Sequence, residues 1–504
     1  MASELHKSVS DPRKKLLTSL QSAGLLSGEA QRKRQVQDLK DYPDIAALAS
    51  VAKTKENFYE IMGSPKLGAL LSPVSVSTTA SSTTNSSGSP ELLPKTESAD
   101  QPQMGSFHLD GASLPEQAGP DLDLENLSSL HKVPTERTDF LWNLAGNGSP
   151  CLRPLDSPDI DPDATQKSGV YLLESPKVGP VDGPYNGRPF QSIFKPLDEE
   201  GFDRRGIELG MGALREEAAF VIDRVTGSQA CVPVTARASL EEGGVRKKGS
   251  VQQFVEGSVG PVENFGMPRE LQAAEEFVAL DDAQAVACFD IRIFNTDRHS
   301  GNLLLAGPRP HRIVCIDHGC VLPAWWALDR ADFDAWLEWP HVKAPNSPST
   351  MALITSIVNT LPRVVLELEK LGLPRQAIWT LEICTSLLEK GVLEHGLSLH
   401  SIALLMTRMD PAEPSWLELK IHEACLAAGA VAEFQPEGKY GDLMFQLDPK
   451  LMKQFEAGGA ALESKHFHHF RSVFFGSLND AFSHPNVCRD VSAVEDLNRP
   501  PWDD

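Results

Sequence analysis

Asp297, Asn302 and Asp317 are the residues through which this sequence could do chemistry. Asp297 and Asn302 stand five residues apart in a polar loop, residues 295–302, and Asp317 directly follows the apolar stretch 313–316. Residues 303–305 and 313–316 read as two short strands joined by a turn built on Gly307, Pro308 and Pro310. Antiparallel pairing would bring the polar ends of those strands together, so the three side chains should converge. Two carboxylates and an amide oxygen are hard ligands, suited to a magnesium ion that keeps part of its water and touches phosphates. Such a set matches a phosphoryl-transfer site: one Asp beside the incoming hydroxyl, with the Asn and a second Asp on the metal. The same D-x-x-x-x-N spacing is also ordinary turn chemistry. The strand ending in Asp317-His318-Gly319 tips the reading towards metal.

Such a loop needs elements to hold it and a cation to hold its phosphates. Residues 170–173 and 190–195 read as strands, and Lys195 ends the second on the same face as Ile193. Its stem is expected to be buried and its ammonium paired with a phosphate or a carboxylate; the plainer alternative is a lysine reaching out to water. Residues 213–223 form a helix by the recurrence of Leu214, Ala218, Val221 and Ile222, and helical phase sets Glu217 beside the apolar side. Residues 231–236 and 251–255 read as further strands, residues 270–292 as one helix into the polar loop, and residues 351–430 as helices. His466, His468 and His469 are spaced to splay around a helix rather than to share a metal.

Composition bounds the rest. The chain has 504 residues, a net charge of −22 and 8 cysteines without a C-x-x-C pair. The negative charge argues against nucleic acid as partner, and the cysteine spacing against a zinc site or disulfide framework. Cys288, Cys315 and Cys384 sit in apolar runs and read as reduced core residues, which fits a cytoplasmic protein. No apolar run reaches the roughly 20 residues of a spanning helix, so no transmembrane segment is expected and membrane contact is at most peripheral. Residues 1–164 read as mostly disordered, with a Ser/Thr tract at 72–90, a basic triplet Arg32-Lys33-Arg34, and short amphipathic stretches at 16–26 and 45–58. Ser72-Pro73, Ser89-Pro90, Ser149-Pro150 and Ser157-Pro158 read equally as phosphorylation sites or chance pairs.

The residues 295–302 (NTDRHSGN) with 316–319 (IDHG) resemble the catalytic and metal motifs of the phosphatidylinositol 3-/4-kinase superfamily, above all the type II and plant gamma-type phosphatidylinositol 4-kinases. Further likeness lies at 168–171 (SGVY), 194–200 (FKPLDEE), 212–216 (GALRE), 253–256 (QFVE) and 381–408, so it spans roughly 165–430. The resemblance implies a bilobal protein-kinase-like α+β fold: a small β-rich N-lobe (165–256), a helical C-lobe (257–430) and a tail (431–504). It implies ATP and Mg2+ as cofactors, with phosphatidylinositol in a membrane, or a protein, as acceptor. Ser168, Gly169 and Val170 would cover the nucleotide phosphates, Lys195 would hold them, and Glu216 rather than Glu217 would orient Lys195. The backbone of Gln253, Phe254, Val255 and Glu256 would pair with adenine. Asn302 and Asp317 would hold magnesium, Asp297 would take the hydroxyl proton, and His299 is the second candidate for that role.

Residues 320–340 would then be the substrate loop. It carries Asp329, Asp332, Asp334 and Glu338 against Arg330 alone, too acidic for a polyphosphorylated headgroup but open to plain phosphatidylinositol or a basic peptide. Trp336 and Trp339 read as core, and Trp325-Trp326 as either core or membrane contact. The cysteine cluster of the type II enzymes is absent. Transfer to phosphatidylinositol is thus the leading expectation. The alternatives are a serine/threonine protein kinase and a nucleotide-binding scaffold without turnover.

Overall fold

The computed structural model describes residues 41–45, 55, 59, 62, 132–145, 151–154, 169–178, 189–201, 204–227, 229–242, 245–411, 413–427, 431–437, 442–447 and 465–483. In chain order come helix α1 (Lys132–Ala145), strands β1 (Cys151–Pro154), β2 (Tyr171–Val178) and β3 (Pro189–Pro196), and helix α2 (Gly212–Thr226). Strands β4 (Thr235–Glu242), β5 (Val245–Gln253) and β6 (Ser258–Pro261) follow, then helices α3 (Leu271–Phe277) and α4 (Leu280–Arg292). The hairpin β7 (Leu303–Ala306) and β8 (Arg312–Cys315) leads to α5 (Pro340–Lys343), α6 (Pro348–Leu371), α7 (Arg375–Leu388), α8 (Leu399–Met406) and α9 (Trp416–Ala427). Strands β9 (Val431–Glu437) and β10 (Asp442–Leu447) and helix α10 (Lys465–Ser483) complete the described residues, a mixture of helix and strand. The expectations for residues 16–26, Arg32-Lys33-Arg34, the Ser/Thr tract and the Ser-Pro pairs lie outside them.

Five strands form an antiparallel sheet in the order β1-β2-β3-β5-β4. Along β3, Phe190, Ser192, Phe194 and Pro196 are buried, while Gln191, Ile193 and Lys195 are half-buried on the other face, as a period of two requires. The buried face, with Leu173, Ala236, Ala238 and Val251, packs on Phe140, Leu141 and Leu144 of α1. The Phe140 and Phe190 rings lie 5.6 Å apart. Parts of the stretch 1–164, read as mostly disordered, join this core. Helix α1 and strand β1 belong to the sheet, and Ile45, fully buried, joins the same core. Phe140, Leu141, Trp142 and Leu144 of α1 carry that packing, a short cluster inside a polar, Pro- and Asp-rich stretch.

A larger core lies among the helices and the β7–β8 hairpin, and α2 contributes Leu214, Ala218, Val221, Ile222 and Val225 to it. Helix α2 therefore lies by sequence among the strands but is anchored by the helices, chiefly α6. Helix α6 is long and apolar enough, by length and composition, to cross a membrane. Its buried residues Thr350, Ile354, Ile357, Val364 and Leu368 recur along one stripe, and it packs on α2, α4 and α7.

Two expected elements differ. The helix expected over 270–292 is broken at Val278, whose extended backbone bridges His311 at the start of β8. The strand expected over 231–236 begins only at Thr235. The Asp223 carboxylate accepts the N–H groups of Ala230 at 2.9 Å and Val232 at 3.0 Å, which turns Cys231 to a positive φ of 52° and delays the strand.

Two measurements follow from this packing. Burial raises the Asp223 pKa to about 6 despite those two N–H donors. The folded chain then holds a proton that the unfolded chain has released, so the Asp223 contribution is present below about pH 4 and lost as pH rises to about 6. Urea titrations of wild type and Asp223→Asn should therefore diverge across that window, by up to roughly 3 kcal/mol, in favour of the variant. A stability difference that stays flat from pH 4 to 6 removes the assignment. Phe140→Ala should cost about 3–5 kcal/mol in the same titration, since it empties the contact between α1 and the sheet; a cost under about 1 kcal/mol would show that α1 does not cover the core.

Candidate active site

The polar loop is built around Arg298, which has no solvent exposure, and neither has Asp290 on α4, its ion-pair partner. Arg298 Nε donates to Asp290 Oδ2 at 2.9 Å, and Nη1 donates to the carbonyls of Asn302 and Ile316, each at 2.9 Å. Nη2 donates to Asp290 Oδ1 and to His318 Nε2, both at 3.0 Å. Asn295 Nδ2 and Trp336 Nε1 also bond the Asp290 carboxylate, each at 2.9 Å. One buried guanidinium thereby ties α4, the loop, the end of β8 and the residue after Asp317. The Ile316 N–H reaches the Asn302 carbonyl at 3.1 Å, and Asn302 Nδ2 reaches the Asp297 carbonyl at 3.1 Å. The backbones of Asp297, Asn302 and Asp317 are in this way drawn to one place.

Lys195 Nζ lies 2.6 Å from Glu216 Oε1 and 2.9 Å from Asp317 Oδ1. Glu217, which helical phase had favoured, is instead fully buried against Arg237, 2.6 Å from its Nε. Burial alone would raise the Asp317 carboxyl, but the Lys195 ammonium outweighs it and brings the pKa down to about 2. Glu216 is more deeply buried and moves up, because burial there outweighs Lys195. Asp317 is thus firmly an anion. It also holds φ at +58°, as Phe294 does at 43° and Leu322 at 52°, so backbone strain gathers on both sides of the loop. Burial, with Arg298 adding to it, keeps His318 well below the usual imidazole value. The ring is neutral, its Nε2 accepts from Arg298, and Nδ1 faces Glu216 Oε2 at 3.8 Å.

His299 is exposed, and its Nδ1 accepts the Gly301 N–H at 3.2 Å. Ser168 lies outside the described residues. Gly169 closes on Glu199, whose carboxylate a Cβ would strike, and Glu199 accepts the Tyr171 hydroxyl at 2.9 Å. Of the residues 253–256 expected to pair with adenine, two have their N–H groups engaged elsewhere. Gln253 donates to the Val234 carbonyl at 2.8 Å and Phe254 to the Gln191 carbonyl at 3.2 Å, so β5 stops two residues early. Adenine pairing through those two N–H groups does not fit. Trp325, Trp336 and Trp339 are buried, and Trp325 packs against Phe470 at 4.8 Å.

Among the described residues, no three His, Cys, Asp or Glu side chains group to hold a metal ion. A magnesium ion taking its other ligands from water and phosphates needs fewer protein groups. The donor set fits it: Asp317 is ionised, and Asn302, with its amide nitrogen on Asp297, presents its amide oxygen. Sequence reasoning missed Asp290 and Arg298, though a charge inside the apolar run CFDIRIF, on a buried helix, was a signal that a partner had to exist. It also missed Arg215, which donates from α2 to the Val321 carbonyl at 2.9 Å, and Arg204, 3.0 Å from Asp297.

Comparison with known proteins gives relatives by sequence. The chain is 33% identical over 284 residues to a phosphatidylinositol 4-kinase gamma 4 of Oryza sativa subsp. japonica, covering 51% of this chain and 46% of that protein. It is 29% identical over 333 residues to phosphatidylinositol 4-kinase gamma 4 of Arabidopsis thaliana, and 28% over 310 residues to gamma 2 of the same plant. These cover 59% and 53% of this chain and 54% and 52% of the relatives. The chain is similar to the plant gamma-type phosphatidylinositol 4-kinases and spans about half the length of the curated relatives it matches. No family model matches it. Among solved structures, the Helicobacter pylori proinflammatory kinase CtkA is 14% identical, covers 49% of this chain and 94% of its own, and superposes with a TM-score of 0.25. At that score the fold rests on the elements described above.

Removing one member of the buried pair strands the other. Arg298→Met and Asp290→Ala should each lower stability by about 3–5 kcal/mol in denaturant unfolding. A loss below about 1 kcal/mol for both would mean that the loop is held by something else.

Proposed function

We propose that this chain is an ATP-dependent phosphotransferase that phosphorylates the inositol ring of phosphatidylinositol, at the 4-position, from the cytoplasmic face of a membrane. The observation that carries the reading is Lys195 held between Glu216 at 2.6 Å and Asp317 at 2.9 Å, beside a loop locked by Arg298. In this reading the sheet with α1 and the helical core are the two lobes of a kinase-like fold, and the lysine stands between them. The names of the plant relatives support the same chemistry.

Each residue has a part. Lys195 holds nucleotide phosphates, and Glu216 keeps its ammonium in place. Asn302 and Asp317 hold magnesium, which when bound neutralises charge on the transferring phosphates. Asp297 orients the acceptor hydroxyl and takes its proton. The hydroxyl oxygen bonds to the γ-phosphorus as the bond to the bridging oxygen breaks, and ADP leaves with that electron pair. His299, exposed and with Nδ1 engaged, offers Nε2 as an alternative proton carrier. Positioning and charge account for most of the rate.

The protein-kinase reading leans on the acids of residues 320–340. Two of them already have cations: Arg205 lies 3.4 Å from Asp329 and Lys343 lies 2.6 Å from Glu338. That pairing favours an anionic lipid over a basic peptide. Purified protein with labelled ATP should label phosphatidylinositol vesicles rather than basic peptides, and Asp297→Asn or Asp317→Asn should cut turnover at least about a hundredfold with folding intact. Labelled peptide with unlabelled lipid would select the protein kinase. Nucleotide binding without transfer to any acceptor would select the scaffold. Near-normal turnover in Asp317→Asn would remove the metal assignment.

A further inference from the structure

Residues 200–211 join β3 to α2 and do more than connect them. Glu200 accepts the N–H of Gly210 at 2.9 Å and of Ala213 at 3.3 Å, which pins the segment to the start of α2. Between those anchors three consecutive residues reach the chemistry. Arg204 Nη2 lies 3.0 Å from Asp297 Oδ1. Arg205 lies 3.4 Å from Asp329, with its guanidinium 5.9 Å from the Trp326 ring. The Gly206 carbonyl accepts the Ala324 N–H at 2.8 Å. Gly206 has φ +75°, and a Cβ there would come 2.6 Å from Ala327 Cβ and 2.9 Å from the Ala324 nitrogen. No larger residue fits the close approach.

Resting on the reading that Asp297 receives the acceptor hydroxyl, we infer that Arg204 selects the acceptor: its guanidinium moves from Asp297 to a phosphate carried by the acceptor itself. Two observations meet here. The Arg204 guanidinium sits on Oδ1 of the carboxylate that would orient the hydroxyl and competes for that oxygen. Its Nε is buried without an acceptor, a donor whose cost an incoming anion would relieve. Arginine presents its donors as a planar fork matched to phosphate oxygens, so a phosphodiester can replace the carboxylate without loss of hydrogen bonds. A neutral alcohol or water brings no anion, leaves Arg204 where it is, and meets an occupied Asp297. The chemical class selected is a polyol bearing its own phosphate, such as the inositol phosphodiester headgroup. The cation comes from outside residues 320–340, whose acids outnumber Arg330.

The test uses the full chain loaded with magnesium and a non-hydrolysable ATP analogue. Calorimetry measures binding of glycerophosphoinositol, the soluble headgroup with its phosphodiester, and of uncharged myo-inositol. Wild type should prefer glycerophosphoinositol by at least about tenfold, the worth of one charge-assisted contact. Arg204→Ala should lose that preference, through weaker glycerophosphoinositol binding with no loss of myo-inositol affinity, and Arg204→Lys should keep part of it. Should Arg204→Ala fold poorly, Arg204→Gln keeps the stem and removes the charge, and should lose the preference too. With ATP and no lipid, Arg204→Ala should release phosphate to water faster than wild type, because Asp297 is freed. A preference that survives in Arg204→Ala, or that wild type never shows, overturns the inference. Headgroup preference without any transfer to phosphatidylinositol vesicles would sink the lipid-kinase reading and leave this one standing. Transfer without preference would do the reverse.

Discussion

Arg298 and Asp290 are both sealed from water, and each would be intolerable there without the other. Their pairing converts a buried charge on a helix into a fixed point to which four pieces of chain are tied. The guanidinium donates to the Ile316 carbonyl and joins the Ile316 N–H at the Asn302 carbonyl, and it orients the neutral His318 ring. Asp290 in turn gathers Asn295 and Trp336. An apolar pair of the same volume would be as stable or more so. It would not hold two loop carbonyls at fixed positions. The ion pair is therefore better understood as a device for geometry, and the geometry it fixes is that of the residues flanking Asp297, Asn302 and Asp317.

The strained backbone belongs to the same arrangement. Phe294, Asp317 and Leu322 all sit at positive φ, costing about 1–3 kcal/mol each. Such conformations persist where neighbours over-determine them. Leu322 N–H bonds the Ile293 carbonyl at 2.8 Å, and Thr296 Oγ1 bonds the Cys320 carbonyl at 2.6 Å, so the segments entering and leaving the site hold each other. The strain turns the Asp317 carboxylate towards Lys195 rather than along the strand.

Much of this was legible in the sequence, and the rest failed for identifiable reasons. The hairpin of β7 and β8 followed from two apolar runs and a Gly/Pro turn; Lys195 does share a face with Ile193, but that face is half-buried rather than buried as expected. The choice between Glu216 and Glu217 was beyond periodicity, because α2 is buried nearly all round and has no single inner side. Helix α1 was missed because a short apolar cluster, residues 140–144, inside a polar stretch carries its packing. The turn at Cys231 was missed because its cause is the Asp223 carboxylate in another element. Contacts between distant segments, such as Arg204 with Asp297, leave no local pattern at all. What is periodic can be read, whereas a lone polar partner must be seen.

Helix α2 shows how the parts act as one. Its apolar residues belong to the larger core, on α6, yet Glu216 reaches Lys195 on the sheet and Arg215 reaches the carbonyl of Val321 beyond Asp317. The lysine is consequently placed by the helical core through Glu216, and the strand that bears it supplies only the stem. Residues 200–211 extend the same logic, since they leave the sheet, touch Asp297 and Asp329, and return to the first turn of α2 through Glu200.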